Sequence, residues 1–374
     1  MSQALPGSSN THPSHHAGWI ASLCLLLLSA CSTSTLTPNP NSSQLTELLN
    51  GKTLQERLEQ RAEQPLDWSL PDDQVMTLNQ DMHDFLDAYV PRRANPTVKL
   101  EALLNAVMHS GLLGVDYNPQ ATYSASDAFF YREANCLSFS MMFIAMAREV
   151  GLSASFNQVS IPPSWEMLGQ QTLVNYKHIN AKVKTRDGHH IVDLNIKEYK
   201  SHYRQRRASD DQAQAQYYNN RAMEFLANGN THSAYRYMRK ALELAPKQGD
   251  LWGNFATIYR REKLFTQAEI AYQQALTLDP NNHVAASNLS RLYQQQGNEE
   301  LANYYQQQVI KFRMRNPYHR FFLAEQALKR SDVSQARRHI NFALKHNKKE
   351  PRFHALADKI QQAEFAELLA KESY

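Results

Sequence analysis

Cysteine is nearly absent. The 374 residues contain 3, at positions 24, 31 and 136, too few for a disulfide framework. Strong charge of one sign is missing too: the net charge is +4 and spread through the chain, so nothing argues for nucleic acid as a partner. Apart from one apolar run near the N-terminus, no stretch approaches membrane-spanning length. Any membrane contact must therefore be made at that end.

That run, Gly18 to Leu28, holds Leu23 and the block Leu25-Leu26-Leu27-Leu28, and it is too short to span a bilayer. It reads as the core of a secretory signal, although no Lys or Arg precedes it. It ends in Leu28-Ser29-Ala30-Cys31, which resembles the lipobox of bacterial lipoproteins. The resemblance implies that residues 1–30 are removed and that Cys31 is lipidated as the mature N-terminus. Residues 31–44, rich in Ser, Thr, Pro and Asn, then form a flexible tether. With Ser32 after the cysteine, the implied address is the periplasmic face of the outer membrane. Cys24 leaves with the signal and Cys31 is capped, so Cys136 is the one thiol left for chemistry.

From Gln44 to Leu113 the apolar spacing is helical, with Leu45, Leu48, Leu49, then Met76, Leu78, Met82, Phe85, Leu86, then Leu100, Leu103, Leu104, Val107. Alone these helices bury little, so they are expected to pack on the unit that follows. Cys136 sits where a polar stretch meets an amphipathic run, Leu137 to Val150, stopped by Gly151. A thiol at a helix N-terminus feels the positive end of the helix dipole, which favours thiolate.

Two alternating runs follow, around His178-Ile179-Asn180-Ala181-Lys182-Val183 and His189-His190-Ile191-Val192-Asp193. Strand pairing keeps parity, so His178 and Asp193 share a face in either of two registers. A tight Asp187-Gly188 turn sets Lys182 opposite Asp193, whereas a longer loop sets His178 opposite Asp193. A direct hydrogen bond is expected to need the longer loop. A zinc site built from His178, His189, His190 and Asp193 is the rival reading. His189 and His190 point to opposite faces of one strand, which argues against it, and neither a metal nor another cofactor is expected.

The segment around residues 70–200, and most densely 122–195, resembles the transglutaminase-like superfamily, whose papain-like α+β core carries a Cys-His-Asp triad. The matching residues are Asn135-Cys136-Leu137-Ser138-Phe139-Ser140 opening a helix, His178 beginning a strand, and Asp193 before Leu194-Asn195. Where relatives usually carry Gly two residues before the nucleophile, this chain has Ala134. The resemblance implies Cys136 as nucleophile, His178 as base and then acid, and Asp193 as its orienting partner. The oxyanion hole would use the Cys136 backbone N–H and one further donor, Gln158 or Asn135.

Beyond Arg207 the chain repeats. At a 34-residue period, Tyr218, Ala222, Phe225, Ala234, Met238, Ala241 and Pro246 match Trp252, Ala256, Tyr259, Ala268, Tyr272, Ala275 and Pro280. This is the tetratricopeptide pattern. A third copy, with Leu289, Tyr293 and Ala302, slips by about three residues before Pro317 relative to that period. A fourth holds Leu323, Ala324, Ala336, Ala343 and Leu344, and Pro351 to Lys371 reads as a capping helix.

The expected architecture is thus an α+β papain-like domain with N-terminal helices over 45–206, followed by an all-α repeat solenoid over 212–372. Asn219, Arg260, Arg261, Arg291 and Lys329 are the expected groove residues, offered to a protein or peptide ligand. The function this implies is thiol hydrolysis or acyl transfer on peptide or protein amides, with the repeats choosing the partner. A scaffold that only binds is the alternative.

Overall fold

The computed structural model describes residues 39–160, 177–195, 199–201 and 203–372. Cys24, Cys31, the signal run and most of the tether lie outside them, so the lipobox has no structural counterpart here.

Asparagine begins most of the early helices, because its side-chain oxygen accepts a backbone N–H that the first helical turn leaves free. Asn41 caps α1 (Ser42–Asn50), Asn79 caps α3 (Gln80–Tyr89) and Asn95 caps α4 (Pro96–Met108). Between α1 and α2 (Lys52–Glu59) the chain turns on Gly51, at φ 62°. A short parallel pair, β1 (Asp116–Tyr117) and β2 (Glu133–Ala134), brackets α5 (Ala125–Tyr131). Helix α6 (Cys136–Glu149) comes next, and every residue from Leu137 to Ala147 is buried. Phe139, Met142, Phe143 and Met146 extend its apolar surface all round, and it touches α5, α7 and the main sheet. That sheet is antiparallel, in the order β5 (His189–Val192), β4 (Lys177–Lys184), β3 (Ser153–Ser160), β6 (Arg204–Ala208).

Strand β6 runs directly into the repeats. Paired helices α7 (Asp210–Ala227) and α8 (Thr231–Leu244), α9 (Gly249–Arg261) and α10 (Phe265–Leu278), α11 (His283–Gln295) and α12 (Glu299–Arg315), α13 (Pro317–Lys329) and α14 (Val333–His346) stack in series, closed by α15 (Pro351–Glu372). Helices α8, α10 and α14 each have 14 residues, whereas α12 has 17. That extra length, nearly one turn, is the slip in the third copy. The apolar core runs unbroken from Leu48 through the α+β unit to Val309, and a second core begins with Ala324 and ends with Ile360.

The N-terminal helices divide their loyalties, contrary to the expectation that all pack on the α+β unit. Helix α4 and its approach do so: Lys99 Nζ donates to Val150 O at 2.7 Å and Arg92 Nη1 to Glu149 O at 3.0 Å. Helices α1 and α2 instead lie on the repeats. The cause is a mutual need, since the last carbonyls of a helix lack intrahelical donors and buried phenols need acceptors. Tyr235 donates to Leu49 O at 2.9 Å and Tyr259 to Leu48 O at 2.5 Å. Arg57 and Arg61 of this segment both reach Glu262.

An extended strap then crosses from α8 to the α+β unit. Asp67 pairs with Arg236, whose Nε donates to Ser69 O, and Trp68 lies edge-on to His232 and Tyr235. Asp73 accepts from Tyr217 at 2.9 Å and Tyr237 at 3.1 Å, while its own N–H donates to the Tyr218 hydroxyl at 3.1 Å. Two residues on, Val75 O accepts the N–H of Ala125 at 2.8 Å, at the start of α5.

Candidate functional site

The position of Cys136 is built by a cap. Asn135 Oδ1 accepts from Ser138 N at 2.9 Å, and its own N–H donates to Ala121 O at 3.1 Å. Of the four N–H groups a helix start leaves without intrahelical acceptors, those two are thereby satisfied. The other two belong to Cys136 and Leu137. They sit beside the half-buried thiol, at the positive end of a fully packed helix. Ala134 takes its place without a left-handed φ, and the residue that does adopt one is Arg132, at φ 55°.

The hairpin between β4 and β5 supplies the other two groups. Its observed register pairs Lys184 with His189 and Ala181 with Val192. Continued by one residue, it sets Asn180 opposite Asp193. The turn has Arg186-Asp187 at its tip, closed by Thr185 N–H donating to Gly188 O at 2.9 Å. Both registers expected from the sequence are therefore displaced by one pair, one in each direction, and the requirement that His178 lie directly opposite Asp193 is corrected. A diagonal neighbour on the same face is within reach of a long side chain: His178 Nε2 hydrogen-bonds Asp193 Oδ2. Parity, the property on which the argument rested, is unchanged.

Sulfur, ring nitrogen and carboxylate oxygen of Cys136, His178 and Asp193 all lie within 4.8 Å of one another. Because Nε2 is committed to Asp193, Nδ1 is the nitrogen left for the thiol. Burial opposes charge on the ring, but the hydrogen bonds to Asp193 and Cys136 outweigh it and push His178 up to about 10. The raised pKa favours the protonated ring beside Sγ. His189 is exposed, and His190 turns to the opposite face, where Nε2 meets Thr185 Oγ1 at 2.8 Å. Neither joins the cluster.

Both side chains expected to complete an oxyanion hole are otherwise engaged. Asn135 Nδ2 donates to Thr122 Oγ1 at 3.1 Å while Oδ1 caps the helix. Gln158 pairs with Ile179, on the sheet face away from His178, and its Oε1 accepts from Arg206 Nε at 2.7 Å. The amides of Cys136 and Leu137, for which the described residues offer no acceptor, are better placed by their position at the helix start. Sequence reasoning missed Asn180 and Asn157, at 0% and 3% exposure. The signal was present: Asn180 falls on the same side of the alternation as His178, where an unpaired polar residue would be costly.

The expected groove residues differ in their surroundings. Asn219 is buried and spends its oxygen on Asn254 Nδ2, at 2.7 Å. Arg260 and Arg261 leave α9 about 100° apart, as neighbours on a helix must. Arg260 turns inward, with Nε buried and unpartnered, whereas Arg261, Arg291 and Lys329 are exposed. Arg291 instead lies close enough to Arg313 to add to the burial that lowers the Arg313 pKa.

Residues 215–248 and 249–282, which are α7–α8 and α9–α10 with their loops, each match the tetratricopeptide repeat family. The chain is 34% identical over 83 residues to the Photosystem I assembly protein Ycf3 of Cyanophora paradoxa, a match covering 18% of this chain. It spans about half, 48%, of the length of that relative. Among solved structures it resembles Pseudomonas aeruginosa pilF at 20% identity, covering 44% of this chain and 75% of the other, with a TM-score of 0.27. A tetratricopeptide repeat protein from Parabacteroides merdae is similar at 21% identity, with 40% and 60% covered and a TM-score of 0.26. The two family matches and the observed helix pairs agree on one point: the C-terminal part of this chain is a tetratricopeptide-repeat solenoid, a kind of module that generally binds protein partners.

Proposed function

We propose that the protein is a lipid-anchored thiol hydrolase or acyltransferase of the transglutaminase-like kind, acting on peptide or protein amides brought to it by the repeats. The observation that carries this reading is the meeting of Cys136, His178 and Asp193 at the N-terminus of a buried helix. His178 takes the thiol proton as Sγ attacks the amide carbonyl and forms a tetrahedral intermediate. The oxyanion faces the Cys136 and Leu137 N–H groups. Collapse breaks the C–N bond, with His178 giving its proton to the leaving amine and Asp193 holding the ring. A water or amine then takes the acyl group from sulfur, losing its proton to His178.

Alkylation kinetics test this without a known substrate. Iodoacetamide should modify Cys136 at pH 6 far faster than a model thiol, of which little is thiolate at that pH, and His178→Ala should abolish the difference. Equal rates in the two proteins at pH 6 would reduce the chain to the scaffold alternative, in which both units only bind. The anchor is tested separately by metabolic labelling with a fatty-acid analogue. Incorporation should vanish in Cys31→Ala, and equal labelling of both proteins rejects lipidation at that cysteine.

A further inference from the structure

We infer that Asn180 is a positioning residue for Asp193, held in its donating orientation by Asn157 and Gln205 through a chain of amides that crosses the sheet from β4 to β6. The inference rests on the triad reading and extends it. Asn180 Nδ2 donates to Asp193 Oδ2 at 3.0 Å, the same oxygen that meets His178. Asn157, paired directly with Asn180, donates from Nδ2 both to Asn180 Oδ1 at 2.8 Å and to Gln205 Oε1 at 2.9 Å. Gln205 Nε2 in turn donates to the Tyr199 hydroxyl at 3.0 Å and Ser201 O at 3.1 Å.

Only one orientation of each amide satisfies the chain. Turning Asn180 over would set its oxygen against the carboxylate and its NH2 against that of Asn157, losing two hydrogen bonds where neither group reaches water. Asn157 is likewise fixed, since both of its N–H bonds are used and both acceptors are oxygens. The end of the chain at Gln205 thus determines which atom Asn180 presents to the acid. Asp193 Oδ1 also accepts from Asn195 N at 3.0 Å, so the carboxylate is gripped from both sides and its plane is set. A carboxylate so held keeps Nε2 of His178 as the bonded nitrogen and Nδ1 toward sulfur. A core that merely needed filling would have no use for three amides in which Asn157 donates to both neighbours and Asn180 passes a donor on to the acid.

The consequence can be read at the thiol of the full-length protein. Asn180→Leu keeps the volume and removes the donor, and it should slow Cys136 alkylation by iodoacetamide at pH 6 by about tenfold to a hundredfold, the worth of one charge-assisted hydrogen bond. At pH 9 the rate should change little, because any thiol is then largely reactive. Asn180→Asp keeps a donor only while protonated, so its deficit should grow from pH 5 to pH 8, a trend that loss of packing alone does not produce. Should Asn180→Leu fail to fold, Asn157→Leu, which frees the Asn180 amide to turn, should still lower the pH 6 rate severalfold. Unchanged pH 6 rates in folded Asn180 and Asn157 variants, beside a slow His178→Ala, overturn this inference and leave the triad standing. If wild type and His178→Ala react alike, the triad reading itself fails.

Discussion

The Asp73 carboxylate joins the strap to the repeats, and its removal should be felt by the whole structure. Tyr217, 4% exposed, and half-buried Tyr237 both direct their hydroxyls at it. Asp73→Ala removes two hydrogen bonds to a charged acceptor and leaves the Tyr217 hydroxyl buried without a partner. Each such bond is worth roughly 1.5–3 kcal/mol in a dry site. Partial exposure of Asp73 discounts the second, for a total of about 2–4 kcal/mol. At roughly 2–3 °C per kcal/mol for a chain of this size, the melting temperature should fall by about 5–10 °C. Asp72→Ala, one residue away and exposed, should shift it by less than about 1 °C. Because the three groups act together, adding Tyr217→Phe to Asp73→Ala should cost almost nothing more. A fall in Asp73→Ala no larger than in Asp72→Ala, or full additivity with Tyr217→Phe, would refute the claim that this carboxylate holds the strap.

Two other outcomes follow from named contacts. His178 titrates near 10 in the folded protein against 6.5 in an unfolded chain, so its contribution is complete below about pH 6.5 and is lost as pH rises through 10. Denaturant melts should therefore show the advantage of wild type over His178→Ala shrinking between pH 7 and pH 10.5, by a few kcal/mol; a constant gap contradicts the charge on the ring. Gly51→Ala should destabilise by roughly 3 kcal/mol, because φ is 62° and a Cβ there would sit 1.8 Å from the Tyr235 hydroxyl. Gly229→Ala, at φ 81° with nothing within 4 Å, should cost only about 1 kcal/mol by chemical denaturation, so equal losses at the two glycines would show that Tyr235 is not the obstacle.

What could be read in the sequence divides along physical lines. The repeats were legible because a period leaves the same small residue, such as Ala234 and Ala268, wherever two helices approach closely, and no other fold needs that. The shared face of His178 and Asp193 was legible because side chains alternate along any strand whatever its register. The register was not, since it depends on which residues occupy the turn, and Thr185-Arg186-Asp187-Gly188 closes on a different pair than the Asp187-Gly188 signal proposes. The position of α1 was hidden for a similar reason. Its apolar stripe, with Leu45, Leu48 and Leu49, says only that some surface must cover it, and the choice is made by two phenols, Tyr235 and Tyr259, 186 and 211 residues from the carbonyls they reach. The repeat position of Tyr259 marks it as core, but nothing local reveals that either phenol needs an acceptor from outside the repeat.

That hidden choice changes how the two units relate. Two beads on a linker would each close their own core and meet through a modest polar surface. Here the chain passes from the repeats to the α+β unit twice, by the strap at Asp73 and by β6 entering α7, and the apolar core does not break at either crossing. Strand β6 carries Gln205, the residue at which the amide chain toward Asp193 begins, and just beyond its end stands Gln212, whose side chain closes the capping box of α7 with Ser209. The strap ends on α5, and the loop before α5 holds Tyr123, whose N–H donates to Ser138 Oγ in the first turn of α6, the helix that Cys136 opens. Both routes out of the repeats thus arrive at the candidate site, one at its acid and one at its thiol. Because Tyr217 stands on α7 and Tyr237 on α8, a ligand that shifts one helix against the other should loosen the grip on Asp73 and slow or speed Cys136 alkylation, and an unchanged alkylation rate with the repeats occupied would refute that coupling.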